Sequence, residues 1–354
     1  VKKRQVPLFW TRGFSRGVAA LTRLVRAPGT RLLRQALKLS GPRRQDPPGG
    51  GGGGAWTSGA ATGAGGALRF SVYRPTGVKK GEQLPLMVML HGCGQDASAF
   101  ACSTRMNAIA TRERFVVMYP EKGRLSNPQG CWNWFDTRTG RAQAEADLLM
   151  KAIDQVCLSY PVDPQRVALA GLSAGASMAA LLVTRHPDRF KALVMHSGIA
   201  PGTATSTLSA LGAMKGRGTT APLDAAPQAM QEDWPALLVI QGDADTTVSP
   251  INAGAAAQIW AVAARAVAGP ARQVRRGKRY PMSVTDFKQG GELVASLVLV
   301  SGLGHAWSGG AASQPYSDAR GPDASSMAWT FAARQFRIGA RETAPTRLPT
   351  LAAA

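Results

Sequence analysis

The 354-residue chain is poor in the residues that would point to several common chemistries. It has only four cysteines (Cys93, Cys102, Cys131, Cys157), with no C-x-x-C pair and no histidine at zinc-finger spacing, so zinc-site and thioredoxin-like readings lose their support. Histidine is equally scarce, at four, which makes each one countable as a candidate base. No uninterrupted apolar run reaches the roughly 18 residues of a membrane-spanning helix. Acidic residues number 21 against 42 Lys and Arg, for a net charge of +21. Charged residues nevertheless make up 18% and apolar residues 45%, an ordinary globular balance that excludes a wholly disordered chain.

What is abundant is unevenly placed. Eleven of the 40 glycines fall between Gly41 and Gly66, which argues for a tether rather than a collagen-like repeat. Residues 1–48 hold 12 Lys and Arg against the single Asp46, so about half of the net charge sits in a seventh of the chain. Four apolar residues of this arm, Phe14, Val18, Leu21 and Val25, stack on one side of a helix at 100° per residue, and Arg12, Arg16, Arg23 and Arg26 gather on the other. Such a basic amphipathic arm suits an anionic lipid or lipid-coated surface. It has no apolar block of the length a secretory signal needs, so the expected location is intracellular or surface-associated. Aromatic interleaving is confined to Phe9, Trp10 and Phe14, and no base-reading motif occurs, so no specific nucleic acid is expected. The organisation read from these shifts is an arm over 1–39, a flexible Gly/Pro-rich linker over 40–66, one catalytic domain over 67–337 and a tail over 338–354.

Within that domain, short apolar runs alternate with helical patterns, which predicts an α/β fold with a mainly parallel sheet covered by helices on both faces. Strands are expected at Leu68–Tyr73, Leu86–Leu90, Phe115–Tyr119, Arg166–Ala170, Ala192–Met195, Ala236–Ile240 and Leu293–Val300. Helices are expected near Ala97–Thr111, Ala144–Tyr160, Ala174–Thr184, Ile251–Ala268 and Asp323–Phe336.

Chemistry concentrates at Gly171-Leu172-Ser173-Ala174-Gly175, a G-x-S-x-G pentapeptide between the strand at 166–170 and a helix. On such a strand-to-helix turn the glycines relieve crowding and the Ser173 hydroxyl is held out toward substrate. A serine hydroxyl attacks only when a base takes its proton, and in this fold the partners follow in the order Ser, acid, His. Only His305 follows both the serine and the late acidic residues; it sits in a glycine-flanked loop just past the apolar run ending at Val300. The strand ending at Ile240 runs into Gln241-Gly242-Asp243-Ala244-Asp245, and either aspartate could orient the imidazole. For the oxyanion, the residue after the nucleophile, Ala174, supplies one backbone N–H. The loop His91-Gly92-Cys93-Gly94-Gln95 after an early strand supplies the second, from Cys93.

These residues give the chain a specific resemblance to the poly(3-hydroxybutyrate) depolymerase family of α/β-hydrolase esterases, which includes relatives acting on feruloyl and acetyl esters of plant polysaccharide. The resemblance runs from about Leu68 to Phe336. It rests on Leu90-His91-Gly92-Cys93-Gly94-Gln95, Tyr119-Pro120-Glu121, Cys131-Trp132-Asn133-Trp134-Phe135, the serine pentapeptide, Gly304-His305-Ala306-Trp307-Ser308-Gly309-Gly310 and Arg320-Gly321-Pro322-Asp323-Ala324-Ser325. It implies an α/β-hydrolase fold, selects Asp245 over Asp243 through the pattern G-x-x-D-x-x-V, and implies that Trp307 and Trp134 line the acyl pocket. For Trp134 the packing of a long loop is an equal alternative. A Cys93–Cys131 disulfide is likewise implied, against an unpaired buried pair. Gln241 and Ala176 depart from the family's usual histidine and glycine.

The resulting expectation is a serine carboxylesterase acting on poly(3-hydroxybutyrate) or its oligomers, without cofactor or metal. The alternatives are a feruloyl or acetyl-sugar esterase and, from another class, a catalytically idle granule- or membrane-surface protein. Family relatives are commonly extracellular, which opposes the location read from the arm.

Overall fold

The computed structural model describes residues 48, 53–63, 66–123, 127–217 and 234–342, so the arm over 1–39 and its expected amphipathic helix lie outside the described residues. Thirteen strands and seven α-helices are described. The strands are β1 Ala55–Gly63, β2 Gly66–Arg74, β3 Leu84–Leu90, β4 Val116–Glu121, β5 Val162–Leu172, β6 Ala192–His196, β7 Ala236–Gly242, β8 Val267–Ala268, β9 Arg272–Val274, β10 Met282–Gln289, β11 Glu292–Val300, β12 Trp307–Ser308 and β13 Ser317–Asp318. The helices are α1 Ala97–Thr104, α2 Met106–Glu113, α3 Arg141–Ser159, α4 Ala174–Arg185, α5 Thr207–Met214, α6 Ile251–Ala263 and α7 Ala324–Glu342.

Eleven strands form one sheet in the order β1-β2-β4-β3-β5-β6-β7-β11-β10-β8, with β9 also on β10. The pairings from β4 through β11 are parallel. The middle of this run is buried on both faces, which is why β3 reads as the unbroken apolar string Leu-Pro-Leu-Met-Val-Met-Leu rather than an alternation. Two cores flank the sheet: one packs Leu149, Ile153, Met178 and Trp260 of α3, α4 and α6, the other Phe100, Ile109, Trp329 and Phe336 of α1, α2 and α7. This is the expected α/β-hydrolase architecture. It gathers the carboxyl ends of β3, β5, β7 and β11, and the loops that follow them, at one end of the parallel run.

Several boundaries differ from the sequence reading. Residues 55–63, assigned there to the flexible linker, are strand β1, paired antiparallel along β2 from Ala55↔Arg74 to Gly63↔Gly66. Trp56 and Ala61 are buried, and a Cβ on Gly59 would stand 2.7 Å from the Phe70 ring, so the small residues that looked like linker leave room for an aromatic ring opposite. The expected helix over 97–111 is two helices, α1 and α2, broken at Arg105, whose left-handed φ of 54° ends α1. The helix expected to reach Ala268 stops at Ala263, and Val267–Ala268 is strand β8. Helix α7 runs on to Glu342, past the expected start of the tail at 338. The sequence reading did not anticipate α5 or β10; β10 joins β11 through a two-residue turn at Gly290-Gly291.

Candidate active site

Ser173 occupies the turn between β5 and α4 with φ 55° and ψ −121°, a conformation costly for a residue with a Cβ. Its surroundings impose that conformation. The Ser173 N–H donates to His196 O at 2.8 Å, and the Ser173 carbonyl accepts from Ser177 N at 3.1 Å. The flanking glycines are sterically required: a Cβ on Gly171 would lie 2.5 Å from Ala176 N, and one on Gly175 would lie 2.2 Å from Leu90 O. Packing this tight lets α4 start directly against the end of β3.

His305 lies in the loop after β11, and Asp245 in the loop after β7. His305 Nδ1 and Asp245 Oδ2 are 2.7 Å apart. The carboxylate is buried and also accepts from Gln241 Nε2 at 3.0 Å and from the N–H groups of Thr247 and Val248, both at 2.9 Å. Burial, the largest influence, pushes the Asp245 carboxyl up. The hydrogen bond and charge of His305 and the two backbone donors outweigh it and hold the group below the ordinary carboxylate value. A carboxylate accepting at Nδ1 leaves Nε2 as the imidazole's basic atom. Asp243 is elsewhere: it is exposed and accepts from Gly302 N at 2.7 Å.

The loop after β3 is pinned from several sides. Gly92 N donates to Gln95 Oε1, Gly94 N donates to Gln129 O, and Cys93 is disulfide-bonded to Cys131. Behind it, the buried His91 accepts from Lys122 N at Nε2, and its carbonyl accepts from Trp132 Nε1. The Cys93 N–H has no protein acceptor among the described residues. Ala174 N belongs to the first turn of α4, where helix N–H groups lack intrahelical partners.

Ser173, His305, Cys93, Ala174 and Trp134 line one cavity of about 750 Å³. Its lining includes the apolar Ile199, Leu211, Met214 and Val248 and the polar Asn127, Gln129, Asp136 and Arg141. Trp307 is not part of it. Contrary to the role implied by the resemblance, Trp307 is fully buried, stacks on His196 at 5.1 Å, meets Phe100 edge-on and donates from Nε1 to Ser325 Oγ. It supports the loop that carries His305 from behind.

Other residues at the site were not singled out from sequence. His196 is wholly buried; its backbone carbonyl holds Ser173, and its Nε2 accepts from Ser308 N at 3.1 Å. Glu145 accepts from Asn133 N and pairs with Lys122 at 2.6 Å, holding the loop that carries Trp132 and Trp134. Both lie far in sequence from the groups they support, and no local spacing marks them. Among the described residues no group of three or more His, Cys, Asp or Glu could hold a metal ion.

The model of the family described as Esterase PHB depolymerase matches residues 68–277. Poly(3-hydroxyalkanoate) depolymerase C of Paucimonas lemoignei is 31% identical over 199 residues, covering 53% of this chain and 46% of that protein. Feruloyl esterase B of Thermothelomyces thermophilus is 30% identical over 128 residues, covering 36% and 43%. The chain thus spans under half the length of these two curated relatives. Among solved structures, an acetyl xylan esterase from Aspergillus awamori superposes with a TM-score of 0.57 at 19% identity, over 70% of this chain and 93% of that one, which supports the fold. With more than half of its length matched by the family model, the chain belongs to the Esterase PHB depolymerase family and has the α/β-hydrolase fold.

Proposed function

We propose that the chain is a serine carboxylesterase that cleaves poly(3-hydroxybutyrate) or its oligomers through an acyl-enzyme. The observation that carries this reading is the meeting of three features at one cavity: a nucleophile held at φ 55°, an imidazole bonded to a buried carboxylate, and an uncommitted N–H at Cys93. Ser173 Oγ attacks the ester carbonyl while His305 Nε2 takes its proton, and Asp245 stabilises the imidazolium. The tetrahedral oxyanion accepts from Ala174 N and Cys93 N. Collapse releases the alcohol, protonated by His305, and a water activated by the same base then frees the acid. No cofactor enters these steps.

The apolar lining residues Ile199, Leu211, Met214, Val248 and Trp134 suit a short aliphatic acyl unit, and the depolymerase relative supports the polyester over the alternatives. Feruloyl or acetyl-sugar esters are the second reading, supported by the feruloyl esterase relative. An idle scaffold is disfavoured because it would have no use for the strain kept at Ser173. Ser173→Ala should lower turnover of a chromogenic short-chain ester by several orders of magnitude with an unchanged circular dichroism spectrum. A variant retaining more than about a tenth of the wild-type rate would remove Ser173 as the nucleophile. Rates on amorphous polyester granules against feruloylated and acetylated sugars decide the substrate.

In this reading residues 1–39 hold the enzyme on an anionic lipid or lipid-coated polymer surface. Deleting them should abolish salt-sensitive pelleting with anionic vesicles and spare hydrolysis of soluble esters; equal pelleting with and without the arm would end the idea. The Cys93–Cys131 disulfide favours an oxidising compartment, the extracellular alternative, over the intracellular one.

A further inference from the structure

Six described non-glycine residues have positive φ: Arg105, Arg114, Ser173, Ser197, Arg265 and Tyr316. The three arginines end α1, α2 and α6, where a left-handed residue is an ordinary helix terminator. The other three all line the cavity. Ser173 is the proposed nucleophile, and Ser197 follows the histidine whose carbonyl holds it. Tyr316, at φ 57°, has no such account, and for a bulky aromatic residue that value is an outlier.

The backbone around Tyr316 is held firmly in this conformation. Its carbonyl accepts from Trp307 N at 2.7 Å, Pro315 O accepts from Ser103 Oγ at 3.4 Å, and Ser317 Oγ donates to Ser103 O at 3.5 Å. Three contacts to two separate elements hold the segment, yet the side chain they present is 48% exposed. Burial of the ring therefore does not explain the strain. Its hydroxyl end reaches the loop after β3, where a Cβ on Gly94 would stand 3.7 Å from the Tyr316 oxygen. The residue thus spans from the segment backing His305, through Trp307, to the neighbour of Cys93. In ester cleavage the leaving oxygen must come within hydrogen-bonding reach of the base, so the wall between the His305 loop and the Cys93 loop faces the alcohol half of the substrate.

From this we infer that Tyr316 is a specificity-determining residue whose ring packs against the alcohol moiety of the ester. The inference rests on the esterase reading above and deepens it: the preferred substrate has a bulky alcohol half, as an internal unit of an oligoester does and a methyl ester does not.

The test compares wild type, Tyr316→Phe, Tyr316→Ala and Tyr316→Gly on butyrate esters of methanol and benzyl alcohol, and on methyl esters of increasing acyl length. Tyr316→Ala should lower kcat/KM on the benzyl ester by about tenfold relative to the methyl ester, the scale of one lost aromatic contact. The ratio should not depend on acyl length. Tyr316→Phe should stay within about twofold of wild type, because the ring makes the contact. Tyr316→Gly should share the alanine variant's loss but melt no lower than it, since glycine relieves the left-handed backbone. An equal loss on all esters, a loss that follows acyl length, a phenylalanine variant as poor as alanine, or a glycine variant that melts below alanine would each overturn the assignment. A wild type silent on every ester ends the esterase reading and this one with it; an active wild type with alcohol-independent variants ends only this one.

Discussion

A carboxylate can steady an imidazolium only while it remains ionised, and at Asp245 four donors secure that against complete burial of its side chain: His305 Nδ1, Gln241 Nε2, Thr247 N and Val248 N. Asp243, two residues earlier, has the same chemistry and spends it on capping the Gly302 turn in solvent. Asp245→Asn is therefore expected to lower kcat by about three to four orders of magnitude through the wrong tautomer of His305, and Asp243→Asn by less than about threefold. Steady-state kinetics of the two variants decide the point, and the opposite ranking would give the role to Asp243. From order along the chain alone the two aspartates were equivalent; what separates them is the loop's backbone, whose N–H groups converge on the second. His305, by contrast, was singled out by elimination among four histidines. Trp307 misled because nearness to His305 in sequence suggests the same cavity, whereas contacts with His196, Phe100 and Ser325, all distant along the chain, draw its ring into the core. His196 stayed hidden because its contribution is a carbonyl and a ring nitrogen brought into place by neighbouring strands.

At the scale of elements, legibility followed burial. The central strands β3, β4, β6 and β7 are buried on both faces and read in the sequence as apolar runs close to their observed bounds, whereas β5 begins four residues before its apolar run, at Val162, with two exposed residues, and β11 alternates buried and half-buried positions. The edge strands β1, β8 and β9, and β10 next to the last two, pack on one side or hardly at all, and their mixed or glycine-rich sequences resemble loops. The loops that carry the site are legible only as motifs, since their shapes come from long-range ties. For the loop after β3 those ties are the Cys93–Cys131 bond across 38 residues, the Gly94–Gln129 hydrogen bond and the Lys122–Glu145 pair beneath Asn133. Loop-closure entropy for that separation gives an upper bound of about 4 kcal/mol. The double variant Cys93→Ala/Cys131→Ala is expected to lose about 2–4 kcal/mol in urea unfolding and about tenfold in kcat, because the Cys93 N–H is then less firmly aimed. Undiminished kcat in a destabilised variant would show that the hydrogen bonds alone aim the loop.

The molecule as a whole stores two neutral histidines in its interior, and this sets how it responds to acid. His196 has no exposed surface. Burial, then the charge of nearby His305, pushes it down to about 3, with Asp245 opposing weakly. Its Nε2 accepts from Ser308 N and its Nδ1 faces Ser197 Oγ, so a second proton would set two N–H groups against each other. His91 is likewise held below its ordinary value, mainly by burial, with Nε2 occupied by Lys122 N. In the unfolded chain both rings take up a proton as pH falls through about 6.5. Between that value and about 3 the unfolded state therefore binds more protons than the native state at His196. The stability this confers is complete above about pH 6.5 and is lost progressively below it, with a slope approaching about 1.4 kcal/mol per pH unit for each histidine so held. Urea unfolding at pH 7.5, 6.0 and 5.0 should show the decline begin well above the carboxylate range, and His196→Gln should remove about one proton from the slope. The His196 ring holds Ser308, three residues past His305, and the His91 ring holds Gly92 and Lys122 beside the Cys93 loop, so acid should loosen the candidate site and the fold in a single transition; constant stability from pH 7.5 to 5.0 would mean that the native state protonates these histidines freely.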